Sequence, residues 1–329
     1  MSYQHLTDHD RYVIYHLHLV GLSRAEIGRR IGRDRSTIGR ELRRNVNRMG
    51  QYLPEHADRL RRQRRQAAAT RPRTGDAALM AYVEDRLKRL WSPDQIVGRL
   101  KVRPPKRLRG KRISHATIYR WIWGDPDRAE RLRSWLRIAW RKRRKRYGKA
   151  SRRGQIPNRV SIDERPAIVE QRERLGDWEG DTVVGKGHSG CVVTNVDRAS
   201  RYLVARRLER GLARAVEDAL YEAMRRMPPE NRQTQTFDNG REFSRHETIA
   251  DRLGLDVYFA HPYSSWERGT NENTNGLLRQ YLPKSRDFRT LTDAELASYV
   301  WQLDNRPRKC LNYRTPAEVF HGRDVALQM

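Results

Sequence analysis

The chain has 329 residues, 33% of them charged, with 69 Lys and Arg against 40 Asp and Glu, a formal charge of +29 and a pI near 10.9. That length accommodates two or three domains with at least one buried core, and that charge points to a polyanionic partner, nucleic acid first. Two cysteines, Cys191 and Cys310, exclude a disulfide framework and a zinc-finger spacing, and no apolar run approaches the roughly 18 residues of a membrane-spanning segment.

The basicity is segregated. Residues 1–150 carry 40 Lys and Arg against 14 Asp and Glu, a net +26, whereas residues 151–329 carry 29 against 26, a net +3. A proteome-wide arginine bias would be spread evenly, so a nucleic-acid-binding half precedes a nearly neutral half with another task. The N-terminus MSYQHLTDHDRY lacks the apolar core of a signal peptide, so a cytoplasmic, nucleoid-associated protein is expected.

Residues 1–66 are expected to form a helix-turn-helix domain. In LSRAEIGRRIGRDRSTIGRELRRN, residues 22–45, Ser23 and Glu26 have the spacing of a capping box, and Ala25, Ile27 and Ile31 follow on one face. Gly32 permits the turn, Asp34 caps the next helix, and Ile38 with Leu42 give that helix its buried stripe. The second helix would be the recognition helix, presenting Arg35, Ser36, Thr37, Arg40 and Arg44 to base edges or phosphates.

Residues 71–147 read as a second helical, DNA-binding region of helix-turn-helix type. WSPDQIVGRL begins with Ser92 as cap, Pro93 in the first helical position and Gln95 completing a box, and ISHATIYRWIW has Ser114 as cap with Ile118, Trp121 and Ile122 as its stripe. The intervening KVRPPKRLRGKR is too long for a tight turn and is strongly basic. RKRRKR, residues 141–146, leads into a basic linker at 148–174 expected to touch the phosphate backbone without reading sequence.

From 175 to 329 the patterning changes to an α/β domain. Residues 178–184, CVVTNVD and RYLVARRL make three strands with short turns, an antiparallel meander. A helix over 212–227 follows, then the short strand of TQTFDNG, a helix stopped by Gly254, the strand LDVYFA and a last helix in WERGTNENTNGLLRQYLPK. This order gives a mixed sheet flanked by helices, with Cys191 as an ordinary core cysteine.

Three acids stand out on that scaffold: Asp181 in the first strand, Asp238 where a strand meets a turn, and Glu272 at the start of a helix. Carboxylates from separate elements suit Mg²⁺, which takes oxygen ligands and keeps water and substrate phosphate in its shell. Two such ions about 3.5–4 Å apart would stabilise the attacking and leaving oxygens of an in-line phosphoryl displacement. Asp177 and Glu179 alternate with Asp181 on one strand face, so spacing alone does not choose among them. Glu242, His246 and His261 read as structural, because metal activation of water or hydroxyl needs no histidine base.

GDWEGDTVVG, TFDNGREF, WERGTNENTNGLLRQYLPK and LNYRTPAEVF together closely resemble the insertion-sequence thirty family of bacterial DDE transposases, over nearly the whole chain. The resemblance implies a ribonuclease H-like catalytic domain and the triad Asp181, Asp238 and Glu272, with 33 residues between the last two, the family's second spacing. It also implies cleavage at the element's terminal inverted repeats and joining of 3′ ends to target DNA, with Mg²⁺ as cofactor and Mn²⁺ able to substitute. Synapsis of two ends implies a homodimer or larger homo-oligomer. Ser265 and Glu267, where relatives commonly carry Pro and Gln, leave the triad untouched.

Arg279, seven positions past Glu272, lies about 20° from it around an ideal helix and about 10.5 Å along it, placed to grip DNA phosphate. Asn271 is expected to cap the helix. The rival functions are a non-catalytic DNA-binding regulator, against which the intact triad argues, and a nuclease that cuts without joining.

Overall fold

The computed structural model describes residues 5–69, 73–136, 156–262 and 264–322. The chain divides into two compact units, Met1–Asp76 and Ala77–Met329.

The first unit contains α1 (Asp8–Leu19), α2 (Arg24–Ile31), α3 (Arg35–Arg44) and α4 (Pro54–Ala69). Ile14 of α1, Ile27 of α2, Ile38 and Leu42 of α3, and Ala57 of α4 close one small core with Tyr52. Arg11 is buried beneath it, its Nε donating to Glu41 at 2.9 Å. The turn between α2 and α3 is the expected one: Gly32 is left-handed at φ 65°, and the Asp34 carboxylate accepts from the Ser36 amide at 2.7 Å. Two details of α2 differ from expectation. The Ser23 hydroxyl accepts from the Glu26 amide, but Glu26 does not reciprocate; its carboxylate turns to Arg29 and Arg30, so the cap is single. Ala25 is exposed and Ile31 only half-buried, so the buried stripe rests on Ile27.

The second unit opens with α5 (Ala77–Lys88), α6 (Pro93–Val102), α7 (His115–Trp123) and α8 (Pro126–Arg133), packed around Val83, Leu87, Ile96, Ile118, Ile122 and Leu132. Ser92 and Gln95 form the full capping box, and Ser114 caps α7. The basic connection between α6 and α7 is anchored at its centre by the fully buried Leu108. RKRRKR lies outside the described residues. Residues 156–174, expected as the tail of a linker, instead line the sheet domain: Ile156 is in its core, and the Val160 carbonyl accepts from the Phe259 amide at 2.9 Å. Within this stretch lies the single-turn helix α9 (Ile168–Gln171).

β1 (Asp177–Val184), β2 (Cys191–Asp197) and β3 (Leu203–Leu208) form the antiparallel meander; α10 (Ala213–Met224), β4 (Thr234–Phe237), α11 (His246–Leu253), β5 (Asp256–Phe259), α12 (Gly269–Leu278), α13 (Asp293–Asp304) and α14 (Pro316–Phe320) follow. The sheet order is β3-β2-β1-β4-β5, with β4 parallel to both β1 and β5. No helix among the described residues is long and apolar enough to cross a membrane.

Strand alternation sorts residues onto two covered faces. Trp178, Val193 and Phe237 pack under α10 and α11, whereas Val183, Val192, Val196 and Leu203 pack with residues of α12 and α13. Gly180 points toward the first face, where a Cβ would stand 2.4 Å from the Phe237 ring. Asp177, Glu179 and Asp181 therefore share the α12 face.

Helix α6 docks onto the C-terminal segment of the same unit. Arg99 forms a bidentate pair with Glu318, Nη1 to Oε2 at 2.8 Å and Nη2 to Oε1 at 2.5 Å, with both side chains almost fully buried. Tyr313 lies flat over Gly98, where any Cβ would stand 2.1 Å from its ring. LNYRTPAEVF is thus the seat of the second helical region.

Candidate active site

The three acids on the α12 face of β1 have different fates, although they differ in sequence only by a two-residue step. Asp177 is buried and spoken for, held by the Arg174 guanidinium at 2.9 Å through both oxygens and by the Thr234 hydroxyl at 2.8 Å. Glu179 is fully buried and accepts from Arg198 at 2.6 Å and from the Asn271 amide at 2.9 Å. Asp181 has no such structural partner. Its Oδ1 accepts from the Thr182 amide and its Oδ2 from Asn275 Nδ2 at 3.0 Å, leaving a half-buried carboxylate at the surface end of the row.

Asp238 follows β4 directly, at the strand's carboxyl end. Its Oδ1 accepts from the Gly240 amide at 3.0 Å in a tight turn, and the Glu242 and Asp238 carboxylates close in on the Gly240 Cα, where a Cβ would stand 2.5 and 2.9 Å from them. Glu242 accepts from the Thr182 hydroxyl at 2.9 Å, so it supports the loop and stays out of the acid pair.

One cation joins the two aspartates. Arg268 donates from Nη1 to the Gly180 carbonyl at 3.0 Å and from Nη2 to Asp238 Oδ2 at 3.1 Å, and Nη1 lies 3.8 Å from Asp181 Oδ1. Burial pushes the Asp181 carboxyl up to about 6, with the Asp238 charge adding to that rise and Arg268 opposing it.

Helix α12 sits across this pair. Asn271 does not cap it; the first turn is preceded by a 3₁₀ turn at Ser265–Arg268, and Asn271 is a fully buried strut donating from Nδ2 to the Glu179 carbonyl at 2.6 Å. A turn later Asn275 reaches Asp181. A carboxylate only accepts, so the Asn275 amide must present its nitrogen there, which leaves its Oδ1 buried with no hydrogen-bond partner among the described residues. Glu272 is exposed on the same helix, between those two asparagines. The structure brings Asp181 and Asp238 together but does not close a triad: among the described residues no three of His, Cys, Asp and Glu converge tightly enough to hold a metal ion.

Arg279 is half-buried, with Nη2 donating to the Val184 carbonyl at 3.0 Å and Nη1 to the Leu282 carbonyl at 3.4 Å, so its guanidinium ties α12 to the end of β1. Burial lowers its pKa, against the pull of Asp181. His246 is buried against Phe259, and His261 bridges Glu267 at 2.8 Å and Asp163 at 3.0 Å. Cys191 is a core residue, its thiol pushed up to about 11 by burial.

The first unit offers the opposite charge. Thr37, Arg40 and Arg44 of α3 and Arg61, Arg64 and Arg65 of α4 line one cleft of about 590 Å³. Arg35 and Ser36 are exposed at the start of α3, and Arg40 folds back on the Ser36 hydroxyl at 3.1 Å. Arg64 has its pKa lowered by burial and then by Arg44, the mark of positive charge crowded together. The three α4 arginines were not singled out from sequence. The signal was present in RLRRQRR, whose arginines 61, 64 and 65 have the i, i+3, i+4 spacing of one helix face.

Residues 2–45 match a family of helix-turn-helix domains, and residues 171–265 match the integrase core domain. The chain is 44% identical to the transposase for insertion sequence element IS4351 of Bacteroides fragilis, over 96% of this chain and 95% of that protein. It is 38% identical to the transposase for IS1086 of Cupriavidus metallidurans, over 97% and 95%. It is also 40% identical to the transposase InsI for IS30A of Escherichia coli, over 76% and 66%.

Proposed function

The chain belongs to the insertion-sequence thirty family of transposases, and from that premise we propose that it binds the terminal inverted repeats of its own element, cleaves there and joins the freed 3′ ends to target DNA. The observation that carries the reading is the pairing of Asp181 and Asp238 around a single cationic group, in a row of acids whose other members are neutralised by structural partners. Charge left uncommitted at the carboxyl end of a strand is available for chemistry.

These residues suit a divalent metal. The donors are hard carboxylate oxygens, they already accept a shared cation, and the partnerless Asn275 Oδ1 beside them is a further oxygen. Asp181 and Asp238, with Glu272 from α12, would hold Mg²⁺, for which Mn²⁺ can substitute. When bound, such an ion lowers the pKa of water or of a DNA 3′-hydroxyl and stabilises charge on the phosphate. The chain's part is to hold the ligands in place: Gly240 fixes the Asp238 turn, Asn275 orients Asp181, and Asn271 and Glu179 lock α12 to β1. The first unit brings the substrate, Arg44, Arg61, Arg64 and Arg65 of its α3–α4 cleft gripping the phosphate backbone while Arg35, Ser36, Thr37 and Arg40 face base edges. No residue need form a covalent bond to DNA. Synapsis of two ends calls for at least a homodimer.

The test is a strand-transfer assay on labelled DNA carrying the element's ends. Joined products with Mg²⁺ and none with EDTA are expected. Cleavage without joining would reduce the protein to a nuclease, and binding without cleavage would make it a regulator.

A further inference from the structure

We infer that Arg268 is a built-in counter-cation that keeps Asp181 and Asp238 paired in the metal-free protein and must leave Asp238 before a divalent ion can bind between them. The inference rests on the proposed metal-dependent reading of the site and assigns a role to a residue that reading does not use.

The geometry separates an anchor from a movable contact. Nη1 of Arg268 is tied to the Gly180 carbonyl at 3.0 Å, a backbone acceptor in the middle of β1 that stays in place whatever the carboxylates do. Nη2 reaches Asp238 Oδ2 at 3.1 Å, and the same guanidinium stands 3.8 Å from Asp181 Oδ1. Its side chain is only 11% exposed, so the charge is confined between the two acids. Its Nε is buried with no hydrogen-bond partner among the described residues. Arg99 and Arg174 each place two nitrogens on the two oxygens of one carboxylate, whereas Arg268 gives Asp238 a single nitrogen and spends the other on a backbone carbonyl. Arg268 thus holds Asp238 by one hydrogen bond and Asp181 by none, which suits a contact that is exchanged.

The electrostatics require the exchange. Two carboxylates and one guanidinium leave a net charge of −1, so Arg268 offsets part of the repulsion between the acids. A divalent ion replaces that single charge with two, and it cannot share both carboxylates with a guanidinium a few ångströms away. Arg268 therefore competes with metal and weakens its binding in the DNA-free protein. Arg268 also closes the 3₁₀ turn that leads into α12, four residues before Glu272. Its release from Asp238 frees the entry to the helix that carries the third acid.

The test measures Mn²⁺ binding to the full DNA-free chain by the loss of the free-ion electron paramagnetic resonance signal, with melting temperature in EDTA and in saturating Mn²⁺ as a second readout. Arg268→Ala, and Arg268→Gln as a variant that keeps a donor for Gly180 without charge, should bind Mn²⁺ about tenfold more tightly than wild type. Arg268→Lys should resemble wild type. The uncharged variants should melt lower in EDTA, and saturating Mn²⁺ should erase that deficit because the ion takes over the guanidinium's task. Equal or weaker Mn²⁺ binding in both uncharged variants, or a deficit that persists in saturating metal, would overturn the inference and leave Arg268 a plain structural strut. Asp238→Asn separates the two levels. If it abolishes Mn²⁺ binding while Arg268→Gln changes nothing, this inference fails and the metal-site reading stands; if neither wild type nor Arg268→Gln binds Mn²⁺, both fail.

Discussion

The two units treat charge in opposite ways. The helical unit crowds arginines from α3 and α4 around one open cleft, and Arg40, Arg44 and Arg65 form no ion pair there among the described residues. From residue 151 on, acids nearly equal bases, and three buried ones are paired: Glu179 with Arg198, Asp177 with Arg174, Glu318 with Arg99 of α6. At the exposed end of the β1 row the pairing changes: Asp181 and Asp238 are two carboxylates sharing one arginine. The difference teaches that charge density alone says little about function here. What sets two surfaces apart is charge the fold does not fully neutralise, positive in the α3–α4 cleft and negative at the aspartate pair.

The sharpest way to break this comparison is to exchange the fates of neighbouring acids. Asp238→Asn is expected to lower cleavage by about a thousandfold or more, roughly 4 kcal/mol of transition-state stabilisation, with repeat binding intact in a mobility-shift assay. Glu179→Gln, on the same strand face, is expected to act on stability instead. It removes the buried partner of Arg198 and leaves only the exposed Glu170 to balance that charge; breaking a buried pair typically costs about 3–5 kcal/mol, read as a lowered denaturation midpoint. If Glu179→Gln kept wild-type stability and lost only activity, the division between committed and free acids would be wrong.

A smaller effect is expected at the seat of the second helical region. Burial raises the Glu318 carboxyl, but Arg99, the Thr315 amide and Arg103 outweigh that and hold it below its ordinary value of 4.5. A depressed folded pKa gives stability that is present above the unfolded value and lost as pH falls through the folded one. Wild type should therefore lose part of its stability below about pH 4.5, and Glu318→Gln should be about 2–4 kcal/mol weaker at neutral pH with a flatter acid limb. Identical acid limbs would show that the pair contributes nothing.

The smallest effects belong to the cleft. Arg44→Ala and Arg64→Ala should each weaken DNA binding on any sequence alike and reduce the slope of log affinity against log salt by about 1, whereas Arg40→Ala should also relax discrimination between the repeat and unrelated DNA. An unchanged slope in both variants would remove α4 from the DNA face.

Much of this was legible in the sequence because it is local. Alternation gave all five strands, the caps at Asp34, Ser92 and Ser114 marked helix starts, and Gly32 and Gly254 marked ends. What was hidden depends on partners far along the chain. Helix α1 was missed because one of its two buried positions is Arg11, and α4 because arginines dominate its pattern. Ser23 and Glu26 had the spacing of a capping box, yet two neighbouring arginines took the carboxylate. Asn271 looked like a cap, but α12 begins earlier and the side chain is drawn inward by Glu179, 92 residues away. The seating of α6 on Glu318 and the place of Arg268 between two aspartates are likewise contacts that no spacing announces.

The most direct test of the account falls on Glu272, which is exposed on α12 and forms no tight three-acid cluster with the two aspartates. Cleavage and strand transfer by Glu272→Gln would be measured beside wild type, on the element's own ends in Mg²⁺, with repeat binding as control. Loss of both reactions with full binding is the predicted result, and it would make Glu272 the third member of the site that α12 delivers to Asp181 and Asp238. Cleavage at the wild-type rate would contradict the account, leaving the aspartate pair to act without that helix.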